Sequence, residues 1–268
     1  MSVIAVIGSG ATTTAVGLAA AWPIGERALL AELDPAGGCL SAWLDVPRQP
    51  NLSDLAASPG ARSWPTAESM FQLSPSGLEV LVAPVRAVEA AAAVLAASST
   101  VVPLLAALRQ PVVIVDGGRL TNSLSPVLTA AGVVAVMHRQ HPGSAAAATV
   151  AIERLADQCD GLRLRSIPFV LGLIGDHPYP VDEVAAFAGA GAATLVPIDH
   201  WAAAVLAGRA GSASRLRRSP LMRSLGAMAQ LLSITLRDSG AELAWTGSML
   251  ASEPGPASSD SSEGARHG

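Results

Sequence analysis

Short apolar runs, punctuated by Gly, Pro and Asp, recur along the whole chain, with longer alanine- and leucine-rich segments between them. Residues 3–7, 27–33, 77–84, 111–115, 133–137, 167–174 and 194–198 have the length and nearly unbroken apolar character of strands buried on both faces. Residues 11–22, 51–58, 86–97, 102–108, 125–131, 143–158, 181–188, 200–206 and 220–236 read as helices, and 39–44 as a helical turn. Asn51 or Ser53 offers an N-cap, Pro23 stops the first helix, and Pro220 suits a first helical position. Strands alternating with helices over the full length predict an α/β fold: a doubly wound, mostly parallel sheet with helices on both faces. Ligands of such sheets sit beyond the carboxyl ends of the strands. The loops that matter are therefore 8–13, 34–38, 116–121 and 138–143.

The pattern fades at the C-terminus. Residues 1–237 carry the α/β pattern, 238–250 a short extension, and 251–268 a Ser/Gly/Pro-rich tail with almost no apolar content. That composition buries too little surface to offset its ordering entropy, so the tail is expected to be disordered.

Composition changes the picture in two ways. The net charge of −4 argues against a general nucleic-acid binder. All 17 basic residues are arginine, so no lysine from anywhere in the chain can reach a phosphate. Genomic base composition accounts for such a bias, but the chemical consequence stands. Cys39 and Cys159 have no metal-ligand spacing and suit a reducing compartment. The N-terminus has no basic n-region, and no run of about 20 strongly apolar residues occurs. A cytoplasmic protein is expected, with at most peripheral contact to the inner face of a membrane.

Candidate chemistry begins at the end of the first run. Gly8-Ser9-Gly10-Ala11 is followed by Thr12, Thr13 and Thr14 and an alanine-rich helix. Such a turn brings backbone N–H groups and the positive end of a helix toward an anion. Asp34 ends the second run and Asp116 the fourth. His138 and His141 follow a strand end, but two histidines without a third ligand read as a polar loop. Arg215, Arg217 and Arg218 form a basic cluster that reads as a solvated loop or a contact for an anionic partner.

Taken in order, these segments resemble the MinD/ParA-type P-loop ATPases, whose deviant Walker A region has the form KGGxGKTTT. Here the same span reads Val6-Ile7-Gly8-Ser9-Gly10-Ala11-Thr12-Thr13-Thr14. LLAELDP resembles the family's LLVDLDP, with Glu32 and Asp34 at its two acidic positions, and VVIVDGG resembles the Walker B strand. LVPID and the segment from Ser219 to Leu232 resemble the closing strand and last helix, so the likeness spans residues 1–237.

The resemblance implies that Gly8, Ser9, Gly10, Ala11, Thr12, Thr13 and Pro197 bind nucleotide. It also implies that Thr12 and Asp116 hold Mg²⁺ and that Asp34 orients the attacking water. ATP or ADP with Mg²⁺ is the implied cofactor pair. Both family lysines are missing: the signature lysine aligns with Val6 and the Walker lysine with Ala11. Gly175 stands where a base-contacting asparagine is expected. Losing one preorganised electrostatic contact costs on the order of 10²–10³ in rate, so two losses predict a degenerate, weakly binding or non-hydrolysing member.

Degenerate members imply a positioning or scaffold role beside a partitioning, septum, pilus or secretion machine. They imply a protein partner and a homodimer, with no specific nucleic acid. Two alternatives remain open: an active ATPase completed by a partner's residue, and a Rossmann dinucleotide-binding protein. The latter rests on Gly8-Ser9-Gly10-Ala11-Thr12-Thr13 matching G-x-G-x-x-G except at the last glycine.

Overall fold

Alternate residues of the first strand face opposite layers. In the computed structural model, which describes residues 2–23, 25–121, 124–140 and 143–251, β1 (Val3–Gly8) sends Val3, Ala5 and Ile7 into one buried cluster. Ile4 and Val6 enter another, as a period of two requires. All five are at most 2% exposed, so β1 is covered on both sides.

The other strands are β2 (Ala28–Glu32), β3 (Gln72–Leu73), β4 (Glu79–Leu81), β5 (Val112–Asp116), β6 (Val133–Arg139), β7 (Phe169–Ile174) and β8 (Ala193–Val196). They form one sheet in the order β3-β4-β2-β5-β1-β6-β7-β8. Every neighbouring pair is parallel except β3 with β4. After β5 the chain crosses from one side of β1 to the other, making the carboxyl end of β1 the topological switch point.

The helices are α1 (Ala11–Ala20), α2 (Leu40–Trp43), α3 (Leu52–Ala57), α4 (Trp64–Glu68), α5 (Ala87–Ala97) and α6 (Val101–Ala107), then α7 (Ser125–Ala130), α8 (Ala145–Arg163), α9 (Val181–Phe187), α10 (His200–Leu206), α11 (Ala213–Arg217) and α12 (Pro220–Ala251). The layer containing Val3, Ala5 and Ile7 is closed by α3 to α9. The layer containing Ile4 and Val6 is closed by α1, α2, α10 and α12. Among the described residues, no single helix is long and apolar enough to cross a membrane.

Several elements differ from the sequence expectations. α12 does not stop near Leu236 but continues to Ala251, because no proline interrupts it and Gly240 and Gly247 alone do not break a helix. The 215–218 cluster is a short helix rather than a loop: the Ser212 hydroxyl accepts the Arg215 N–H and starts α11. There the Arg215 guanidinium stacks over Trp201 at 4.2 Å. α4 and β3 have no signature in the apolar pattern. The tail at 252–268 and His141 lie outside the described residues.

The cap at Asn51 is a full capping box. Its side chain accepts from Ser53 N–H at 2.8 Å, and Asp54 accepts the Asn51 N–H at 2.8 Å. Asn51→Ala is expected to cost about 1 kcal/mol, read as a lower urea midpoint at an unchanged m-value.

Candidate functional site

The turn after β1 is short. Only Ser9 and Gly10 separate β1 from α1, and Gly10 serves as N-cap in the left-handed region without any side-chain cap. The strand runs through Gly8, whose φ of +101° and tight approach to β6 exclude a side chain: a Cβ there would overlap the Met137 carbonyl. Two of the turn's N–H groups already have partners. Gly8 donates to Gly118 O at 2.8 Å and Ser9 to Met137 O at 2.9 Å. Val6 and Ile7 are core residues of a central strand, 0% and 1% exposed. The first turn of α1 carries no acid, so its amide end keeps its positive character.

Beyond this turn the predicted residues separate into two groups. The first holds Thr12, Asp34 and Asp116. Asp116 ends β5 and is 0% exposed. One of its oxygens accepts the Gly118 N–H at 3.0 Å; the other, Oδ2, is buried without a hydrogen-bond partner among the described residues. Burial pushes this carboxyl up to about 7 and the Glu32 and Asp34 carboxylates add to the rise, while the Thr12 hydroxyl and Gly118 N–H pull it down. Asp34 accepts the Ala36 N–H at 2.8 Å, and its carboxylate fills the space where a side chain at Gly118 would stand. Burial raises the Asp34 carboxyl, against the Ala36 N–H and the Arg119 guanidinium, which lower it.

An orphaned carboxylate oxygen beside a threonine hydroxyl fits Mg²⁺, which is commonly held by one or two carboxylates plus substrate phosphates. No group of three His, Cys, Asp or Glu side chains among the described residues is placed to hold a metal unaided.

Glu32, the other acid of the second strand, has a different task. Its Oε1 accepts the N–H groups of Cys39 at 2.6 Å and Leu40 at 2.9 Å, and its Oε2 that of Ala83 at 2.9 Å. It clips the start of α2 to the end of β4 at 1% exposure. Burial raises its pKa above the ordinary carboxylate value, and the three N–H groups oppose that rise. Burial and the neighbouring acids push the Cys39 thiol up to about 12, which keeps it neutral.

The second group surrounds a cavity of about 120 Å³ at the switch point. Gly10, Thr13 and Pro197 line it, together with Thr14, Asp199 and His200. Arg139, from the end of β6, lines it too. Sequence reasoning missed Arg139 and Arg119, because neither lies in the glycine turn. The available signal was position, since Arg139 ends β6 and Arg119 follows the carboxyl end of β5.

The solved structures bear on this geometry. The chain is similar to the ParA family ATPase from Chlorobium tepidum TLS, at 16% identity and a TM-score of 0.66, over 85% of this chain and 97% of that one. It is similar to the septum site-determining protein MinD from Pyrococcus horikoshii OT3, solved with Mg-ADP, at 14% identity and 0.67, over 86% and 95%. Cobyrinic acid a,c-diamide synthase from Mycobacterium smegmatis, solved with an ATP analogue and magnesium, matches at 22% and 0.53, over 85% and 92%. No protein-family model and no curated protein matches the sequence. The chain therefore has the fold of the MinD/ParA-type P-loop ATPases. At these identities the likeness is one of fold, and proteins of different activities share it.

Proposed function

We propose that this chain is a degenerate MinD/ParA-fold protein that binds a nucleotide weakly, does not hydrolyse ATP, and works as a positioning scaffold for a protein partner. The observation that carries this reading is how the turn's N–H groups are used. A Walker A loop cradles phosphates with free backbone N–H groups. Here Val6 and Ile7 belong to β1, and the N–H groups of Gly8 and Ser9 are bonded to Gly118 and Met137 carbonyls. Ala11 supplies no charge at the first position of α1. In this reading Gly10, Ala11, Thr12, Thr13 and Pro197 remain for a nucleotide, Thr12 and Asp116 for Mg²⁺, and Asp34 for water. Phosphoryl transfer depends on cationic stabilisation of the moving group, and the turn offers none. Homodimerisation and a peripheral membrane contact belong to the same proposal.

The test is phosphate release from Mg-ATP by the purified chain. No turnover above buffer is expected. Ala11→Lys alone is expected to leave it absent, because the two N–H groups stay engaged. Brisk turnover by the unmodified protein would overturn the reading.

A further inference from the structure

We infer that the switch-point cavity is a site for one phosphate monoester, a nucleoside monophosphate, with Arg139 supplying the charge that the glycine turn lacks. The inference deepens the proposed nucleotide binding and rests on it. Four observations converge. The cavity lies where an open α/β sheet binds ligands, beyond the carboxyl ends of β6, β7 and β8 and beside the start of α1. Thr14 lines it at 2% exposure, and no side-chain hydrogen bond among the described residues engages its hydroxyl. The adjoining amino end of α1 has no side-chain cap and no acid in its first turn. Arg139 makes no ion pair among the described residues and presents its charge at the same cavity.

Together these supply the parts of a phosphate site: backbone N–H donors at a helix start, hydroxyls from Thr13 and Thr14, and a guanidinium suited to bidentate contact. The opposite wall differs in character. Pro197 and Ile198 are apolar, and Asp199, which caps α10 by accepting the Ala202 N–H at 2.9 Å, is an acceptor for sugar or base donors. An anionic end facing an apolar, acceptor-bearing end matches a nucleotide better than free phosphate. At about 120 Å³ the enclosed space is below the roughly 300–1,000 Å³ of small-ligand pockets, so it encloses the phosphate and part of the nucleoside. Additional phosphates would bring negative charge toward Asp34 and Asp116, two carboxylates with the single Arg119 guanidinium near Asp34.

The experiment is calorimetric titration of the full chain, without Mg²⁺, with AMP, GMP, CMP, UMP, their triphosphates and inorganic phosphate. At least one monophosphate is expected to bind tenfold or more tightly than its triphosphate and than phosphate alone. Arg139→Ala should weaken it about tenfold or more, Arg139→Lys less, and Thr14→Val several-fold. Melting curves of Arg139→Ala should match the parent, since its exposed side chain holds nothing in place. No monophosphate binding, tighter triphosphate binding, equal phosphate binding, or indifference to Arg139→Ala each overturns the inference. Those outcomes leave the absence of ATP turnover untouched, so the two readings fail separately.

Discussion

Replacing Glu32 with alanine is expected to lower the unfolding free energy by roughly 3–5 kcal/mol, a large fraction of the 5–15 kcal/mol typical of a domain. The carboxylate is buried and accepts three backbone N–H groups, from Cys39, Leu40 and Ala83. Alanine leaves all three without an acceptor, each at about 1–3 kcal/mol, with entering water recovering part of the loss. Glutamine keeps one acceptor oxygen but turns an N–H against an N–H, so Glu32→Gln should lose about half as much. Urea unfolding at neutral pH, with an unchanged m-value, measures both. An alanine variant within about 1 kcal/mol of the parent would mean that the carboxylate is not the clip between α2 and β4.

Replacing Asp116 with asparagine is expected to act in the opposite direction at neutral pH. In the folded chain this carboxyl is raised from 3.8 to about 7, chiefly by burial. The folded state therefore keeps a proton that the unfolded chain releases between about pH 4 and 7. The stabilisation this gives is complete below about pH 4 and is lost as pH rises through 7, a change of at most about 4 kcal/mol. Asparagine keeps an oxygen for the Gly118 N–H and carries no charge to desolvate. Asp116→Asn should thus be the more stable protein at pH 8, by roughly 2–4 kcal/mol, and match the parent near pH 4. Unfolding curves at pH 4, 6 and 8 make the comparison. Parallel pH profiles for the two proteins would show that Asp116 does not titrate in a desolvated environment.

Both residues stand on the same strand-end row, where β2 and β5 pair through Glu32 and Asp116. They show how differently two acids can be used. Glu32 is satisfied by backbone and holds the fold. Asp116 has an oxygen with no partner, which a Mg²⁺ ion or a proton would satisfy. From sequence the two look alike, since each is an acid at the end of an apolar run. Only their neighbours separate a structural carboxylate from a candidate ligand.

The central strands were readable because burial on both faces leaves a plain record: VIAVIG, VVIVD and VVAVM admit few polar residues. The short elements left no such record. β3 is two residues long and is a strand because β4 lies beside it. α11 is fixed by one serine and by Trp201, which lies under Arg215. The candidate site was readable as far as its loops, since glycine turns and strand-end acids are local features. Arg139 was not, because its relevance depends on β6 lying next to β1.

By itself the sequence determined the α/β class, the carboxyl-edge location of the glycine turn and the acids, and the absence of lysine. These follow from residue type and period, which act locally. The tertiary structure decided which N–H groups of the turn are free, which acid is a clip and which has an unpaired oxygen. It also brought Arg139 to the cavity beside the turn. Those properties are contacts between segments far apart in the chain, set by strand order and packing.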